Sequence, residues 1–152
     1  MNLGDRVPDF TLPDQYGTET SLSGLLQSGP VVLFFYPAAM TKGCTIESCH
    51  FRDLGKEFTD LGAHRIGISM DTVDKQRTFS DTNDFDYPLL ADPDGAVART
   101  FGVKRSLGLL KVKRSTFVID TTSTIIGAFT SEFKMDAHAD EALATLRAHA
   151  AR

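Results

Sequence analysis

The hydrophobic pattern of the chain changes period along its length. Val31 to Tyr36 are apolar without interruption and are followed by Pro37, the pattern of a short strand buried on both faces. Small and polar residues then lead to Gly43 and Cys44. Beyond them Phe51, Leu54, Phe58 and Leu61 recur at i, i+3, i+7 and i+10, one face of a helix. This helix is predicted to run to about Thr59 and to end at Leu61-Gly62. Upstream, Asp9–Leu12 and Thr18–Leu22 flank Asp14-Gln15-Tyr16-Gly17 and predict a small edge hairpin, with Ser28-Gly29-Pro30 as punctuation. Downstream, residues 64–70 predict a strand and Asp71 or Thr72 caps a helix near 73–82. Tyr87–Leu90 predict a short strand, Asp92-Pro93-Asp94-Gly95 a turn, and Ala96–Phe101 a short helix. A basic segment, 104–114, precedes a hairpin of Ser115–Asp120 and Thr124–Phe129 joined at Thr121-Thr122-Ser123.

Asp136 opens a final helix whose Ala139, Ala142, Leu143, Leu146 and Ala150 share one side. Its acids, Asp140 and Glu141, come early and Arg147 and Arg152 late, as the helix dipole prefers. Strands alternating with helices predict parallel pairing in the first part, and the terminal hairpin adds antiparallel strands. The fold class is therefore α/β: a mixed central sheet flanked by helices, thioredoxin-like, with an N-terminal β-hairpin.

Composition narrows the class without naming a function. At 152 residues the chain is long enough for one domain with a real core, and 41% hydrophobic and 24% charged residues exclude disorder. The net charge of -4 supplies no global attraction to nucleic acid or to an anionic membrane. No basic start is followed by an apolar core, and no apolar run reaches the roughly 18 residues of a membrane span. A soluble cytoplasmic protein is expected. In that compartment its two cysteines, Cys44 and Cys49, point to transient redox chemistry rather than a permanent staple.

Cys44 falls in the first turn of a helix that follows a central strand. Free backbone N–H groups and the positive end of the helix dipole favour a thiolate there. The competing reading is a buried cysteine packing as a small hydrophobe, and the strand–Pro–loop–Gly–Cys–helix context argues against it. Cys49 is five residues on; within one helix the two Cα atoms stand roughly 8–9 Å apart. A disulfide needs them within about 7 Å. Any bond between them is therefore coupled to unwinding of the first helical turns. Cys49 as a plain helix residue remains open on these grounds.

The segment Pro37-Ala38-Ala39-Met40-Thr41-Lys42-Gly43-Cys44 resembles the Pro-x-x-x-Thr-x-x-Cys signature of peroxiredoxins. Cys44-Thr45-Ile46-Glu47-Ser48-Cys49 is similar to the Q-type, or bacterioferritin comigratory protein, subgroup of the AhpC/TSA family. The resemblance extends from Gly4-Asp5-x-x-Pro8-Asp9-Phe10 to Arg114–Asp120. It implies a cofactor-free thiol peroxidase of antioxidant defence, acting on hydrogen peroxide and organic hydroperoxides. Cys44 would attack the terminal peroxide oxygen and become a sulfenic acid. Cys49 would condense with it to a disulfide, which thioredoxin or a similar dithiol would reduce. Thr41 would hydrogen-bond thiolate and peroxide, with a simple loop or cap threonine as the bland alternative. Pro37 would shield the site, and Arg114 would hold the thiolate charge and polarise the peroxide through a fork that Lys cannot mimic. Glu47 would orient Arg114, against the alternative of a solvated helix glutamate. The subgroup closes its disulfide within one chain, so a monomer is expected.

One departure concerns Ala38-Ala39-Met40 and Lys42, where many relatives carry charged residues and a proline; the apolar loop predicts a preference for apolar hydroperoxides. The basic run 104–114 holds five basic residues and no acid, yet lacks interleaved aromatics, so it reads as a solvated loop. Its Leu107, Leu109 and Leu110 are free to cover the site or to touch a partner. His50 follows Cys49, but His64, His138 and His149 are scattered and no metal site is expected. A disulfide oxidoreductase would want Cys-x-x-Cys. The alternative from another class is a redox-sensing interaction protein whose disulfide unwinds the helix and exposes Phe51 and Leu54.

Overall fold

A computed structural model describes residues 1–108 and 110–151. The expectations for Leu109 in the basic loop and for Arg152 at the end of the last helix fall outside these residues. A two-stranded antiparallel sheet, β1 (Thr11–Pro13) and β2 (Glu19–Ser21), packs beside a five-stranded mixed sheet. The larger sheet comprises β3 (Val31–Phe35), β4 (His64–Ser69), β5 (Leu89–Ala91), β6 (Ser115–Ile119) and β7 (Ile125–Thr130), in the order β5-β4-β3-β6-β7. β3 pairs parallel with β4 and antiparallel with β6, and β6 pairs antiparallel with β7. The thioredoxin-like α/β arrangement expected from the element order is the one observed.

β3 is central and every residue of it is buried, because both faces of the sheet are covered. Val31, Leu33 and Phe35 enter one apolar cluster with Leu22, Val97, Phe101 and Phe117. Val32, Phe34 and Tyr36 enter the other, with Cys44, Phe51, Phe58, Phe79, Ala139 and Leu143. Strict alternation along one apolar run thus feeds two cores. The helices are α1 (Leu22–Leu26), α2 (Lys42–Asp53), α3 (Gly55–Asp60), α4 (Val73–Asn83), α5 (Ala96–Thr100) and α6 (Ala137–Ala150).

Four expectations are corrected. α1 replaces the end of the expected extended piece at Leu22 and fills the stretch before Ser28, where no helix is expected; Ser21 caps it by accepting from the Gly24 N–H, and Leu22 and Leu26 bury one face. The fifth strand begins at Leu89 rather than Tyr87, since Pro88 has no N–H to donate to a ladder and pairing with β4 starts at Leu89 opposite Gly67. The single helix running to Thr59 is two helices broken at Leu54. The break has a partner in buried Arg65 of β4, whose Nη1 donates to the carbonyls of Phe51 at 3.0 Å and Arg52 at 3.4 Å. Gly55 lies against that guanidinium, where a Cβ would stand 3.0 Å from Nη2. In α6, Ala150 is exposed, so the buried side ends at Leu146.

Candidate active site

The site lies where β3 ends. Tyr36 continues the strand by donating its N–H to the Ile68 carbonyl, and Pro37 is buried beyond it. The loop that follows is anchored from β4: the Ala39 N–H donates to Asp71 Oδ2 at 2.7 Å, and the Ser69 hydroxyl donates to the same oxygen at 2.6 Å. Ser69 in turn receives the Gln76 amide, whose carbonyl accepts from the Tyr36 hydroxyl. Met40 adopts a left-handed backbone, φ 70°, a conformation that costs a non-glycine residue about 1–2 kcal/mol. Thr41 then caps α2 with extended geometry but no side-chain cap bond. Its hydroxyl donates to the Ala38 carbonyl at 2.7 Å, rather than to Cys44.

Cys44 is the third residue of α2 and fully buried. Cys44, Glu47, Ser48 and Phe51 are the buried residues of this helix, a stripe at i, i+3, i+4 and i+7. Phe51 stacks on Phe34 of β3, centroids 4.0 Å apart and planes 6° from parallel, which fixes the rotation of α2 about its axis. Lys42, despite its nearness in sequence, is exposed. The charge facing Cys44 comes from Arg114, the residue before β6. Because β6 runs antiparallel to β3 with Ser115 opposite Phe35, Arg114 sits at the strand exit from which the Cys44 loop departs.

Arg114 Nη1 donates to Cys44 Sγ at 3.4 Å and to Glu47 Oε1 at 2.8 Å. Glu47 is fully buried, which excludes the solvated reading. Burial pushes its carboxyl up to about 8, against the pull of Arg114. Glu132, in the loop after β7, holds the arginine from behind: its Oε1 accepts from the Arg114 backbone N–H and from Arg105 Nη2, each at 3.0 Å. This gives the basic loop a structural task, reinforced by the Lys104–Val112 bridge.

Cys49 is half-buried on another side of α2, with Sγ 3.7 Å from Asn83 Oδ1, and burial raises its thiol pKa. Both cysteines are free and both lie within wound helix. The pairing expected of them requires α2 to open, as the helix geometry demands.

The structure therefore brings Cys44, Glu47 and Arg114 together, places Pro37 and Thr41 on the loop before them, and leaves Cys49 apart. Glu132, Asp71 and His138 were not singled out as site residues. For His138 a signal existed: it lies four residues before Ala142 and eight before Leu146, on the buried side of α6. Exposed Met40 and Ile46 provide apolar surface near this end of α2, and Met135 lies against Gly43.

A fold of this kind, with a buried cysteine in the first turn of a helix and an arginine on its sulfur, is that of a thiol peroxidase. The chain belongs to the AhpC/TSA family, whose model matches residues 3–128, and is a peroxiredoxin. It is similar to the crystal structure of peroxidoxin BcpB from Mycobacterium tuberculosis, at 63% identity and TM-score 0.94 over 97% of each chain. The bacterioferritin comigratory protein of Xanthomonas campestris, studied for alkyl peroxide reduction, is 34% identical with TM-score 0.85, covering 93% of this chain and 92% of that one. The chloroplastic peroxiredoxin Q of Arabidopsis thaliana is 38% identical over 148 residues, which are 97% of this chain and 68% of the plant protein.

Proposed function

We propose that Cys44 is the peroxidatic nucleophile of a two-cysteine peroxidase, with Cys49 as its resolving partner and thioredoxin as the reductant. The observation that carries this reading is the shared Arg114 Nη1, 3.4 Å from Cys44 Sγ and 2.8 Å from Glu47 Oε1, in the first turn of α2. Arg114 and the free N–H groups of that turn stabilise a thiolate, and the same guanidinium stabilises negative charge developing on the peroxide oxygens. Attack forms the S–O bond of a sulfenic acid, breaks the O–O bond, and releases an alcohol or water once a proton is supplied. Cys49 then displaces water from the sulfenic acid to form the disulfide, after α2 opens. Glu47 holds the arginine; Pro37 closes the site from the strand side; Thr41, the N-cap residue of α2, would turn its hydroxyl from the Ala38 carbonyl to the peroxide.

The activity is hydroperoxide reduction at the expense of a thiol. The finer assignments in this reading are an apolar hydroperoxide preference, a monomer, one domain over 1–152, and a cytoplasmic location. Among the described residues no helix is long and apolar enough to cross a membrane. Exposed Met40 and Ile46 support the substrate preference, as does the alkyl peroxide chemistry of the Xanthomonas relative.

The test is peroxide-dependent NADPH consumption through thioredoxin reductase and thioredoxin, on wild type, Cys44→Ser and Cys49→Ser. Turnover in wild type, lost outright in Cys44→Ser and no longer sustained by thioredoxin in Cys49→Ser, is the expected result. Full turnover in Cys49→Ser would make the mechanism one-cysteine, and a single reaction per molecule in wild type would return the protein to the class of sensors. Equal efficiency on hydrogen peroxide and a long-chain hydroperoxide would remove the apolar preference.

A further inference from the structure

Behind Arg114 lies a second buried titratable group that the peroxidase cycle described above leaves unused. His138 of α6 is fully buried. Its Nε2 lies 2.8 Å from the Ser131 carbonyl oxygen, which only accepts, so Nε2 carries a hydrogen. Its Nδ1 lies 2.8 Å from Thr116 Oγ1 and 3.5 Å from Glu47 Oε2. Glu47 Oε1 is taken by Arg114, whereas buried Oε2 has no hydrogen-bond partner. With Glu47 ionised and His138 neutral, buried Oε2 would carry charge with no donor facing it, since the nearby Nδ1 bears no hydrogen and accepts from the Thr116 hydroxyl. One proton resolves the conflict, on Oε2 or on Nδ1.

We propose that Glu47 and His138 together hold one proton while Cys44 is ionised, and that His138 is a positioning residue for Glu47 in the peroxidase site. The inference rests on the reading of Cys44 as the peroxidatic thiolate. Charge counting supports it. With thiolate, guanidinium and a singly protonated Glu47–His138 pair, the buried cluster is neutral; without that proton it carries an uncompensated negative charge in a dry interior. A neutral thiol beside ionised Glu47 and Arg114 is equally balanced. Ionisation of Cys44 therefore moves a proton within the cluster rather than creating a buried net charge.

The same count suits the chemistry. Thiolate attack on ROOH forms the S–O bond, breaks the O–O bond and leaves RO⁻, which takes one proton to depart as ROH. If the pair gives up its proton, the Glu47 carboxylate remains paired with Arg114, whose thiolate partner has become a neutral sulfenic acid. The other charged or titratable groups around the pair are few. Glu132 faces Arg114 from the β7–α6 loop, and Tyr87 of the β5 approach is held by the Ser48 carbonyl. His50 and Asp140 pair with each other at 2.9 Å on the outer side of α2 and α6. None offers Oε2 a partner.

The experiment is NMR on the reduced full-length protein with 13C-labelled glutamate carboxyls and 15N-labelled histidine rings, Glu47→Gln serving to assign the signal. Wherever the ultraviolet absorbance of the Cys44 thiolate is present, one proton should be found on the pair, with a titration midpoint near 8 for Glu47. Cys44→Ser, which removes the thiolate charge, should lower that midpoint by about one pH unit. Ionised Glu47 with neutral His138 at a pH where the ultraviolet absorbance of the Cys44 thiolate is present, or a midpoint indifferent to Cys44→Ser, would overturn the inference. Neither NMR measurement uses peroxide, so failure of the inference is distinguishable from failure of the catalytic reading on which it rests. The kinetic arm is the pH profile of sulfenic acid formation in a Cys49→Ser background. His138→Gln keeps a donor for Ser131 and an acceptor for Thr116 but cannot titrate. It should displace the alkaline limb of that profile, whereas a merely structural histidine would change the melting temperature and leave the limb in place.

Discussion

Arg114 concentrates more of the site than any other single residue. One of its nitrogens bridges sulfur and carboxyl, its backbone N–H is held by Glu132, and its stem is buried. A lysine at 114 would keep the charge but lose the planar fork, so it would serve one partner at the expense of the other. Arg114→Lys is expected to slow the reaction of Cys44 with hydroperoxide by about 10²-fold, as loss of a preorganised transition-state donor does. Stopped-flow measurement in a Cys49→Ser background checks this. Glu47 makes a prediction about stability. Its folded-state pKa, about 8, lies above its ordinary value of 4.5, so the native protein binds this proton more tightly than the unfolded chain. The resulting stabilisation is complete below about pH 4.5 and is lost as the pH rises through about 8. Glu47→Gln should abolish that decline, of the order of a few kcal/mol, in denaturation midpoints followed from pH 5 to pH 9.

Among the elements, α2 is built unevenly. Its C-terminal turn is fastened by the Phe34–Phe51 stack and by Arg65, which collects the Phe51 and Arg52 carbonyls and pairs with Asp86. Its first turn lacks a side-chain cap and follows a loop with a strained Met40. Opening from the N-terminal end is the cheaper motion, and it is the one that a Cys44–Cys49 bond requires. On oxidation, amide hydrogen exchange should accelerate at residues 44–49 while residues 51–53 and β3 keep their protection. Uniform loss across the helix would contradict the fastening by Arg65. The helix pattern of Phe51, Leu54, Phe58 and Leu61 was legible because apolar period is local. The break at Leu54 was not, because its cause sits in β4. A lone arginine in the apolar run HRIGISM was the available hint.

At the scale of the whole molecule, the two cores on either side of β3 hold the sheet against its helices, and one backbone crossing makes this packing specific. Gly29, entering β3, passes so close to the loop after α3 that a Cβ there would lie 1.9 Å from the Gly62 carbonyl oxygen. Neither chain can yield without moving β3 or α3. Gly29→Ala should therefore lower unfolding free energy by about 2 kcal/mol or more in urea titrations, with the ultraviolet and kinetic signature of the site unchanged in the folded fraction.

What the sequence determined by itself is local. A buried strand, a proline, a small-residue loop and a helical period place Cys44 in a first turn after a central strand. The motif around it and its spacing to Cys49 define the family. Alternation and turn residues were enough for the α/β class and the order of the strands, since they act over two to four residues, though not for α1 or the break between α2 and α3. The tertiary structure decided the rest. Arg114 reaches Cys44 across seventy residues only because β6 pairs antiparallel with β3 in a register that sets Ser115 opposite Phe35. Glu47 became a buried acid, rather than a solvated one, because α2 turns the face shared with Cys44 and Phe51 toward the sheet. His138 joined the site because α6 packs on β6 and β7 beside α2. Strand order, register and helix rotation are settled by long-range packing, and no local pattern of residue types carries them.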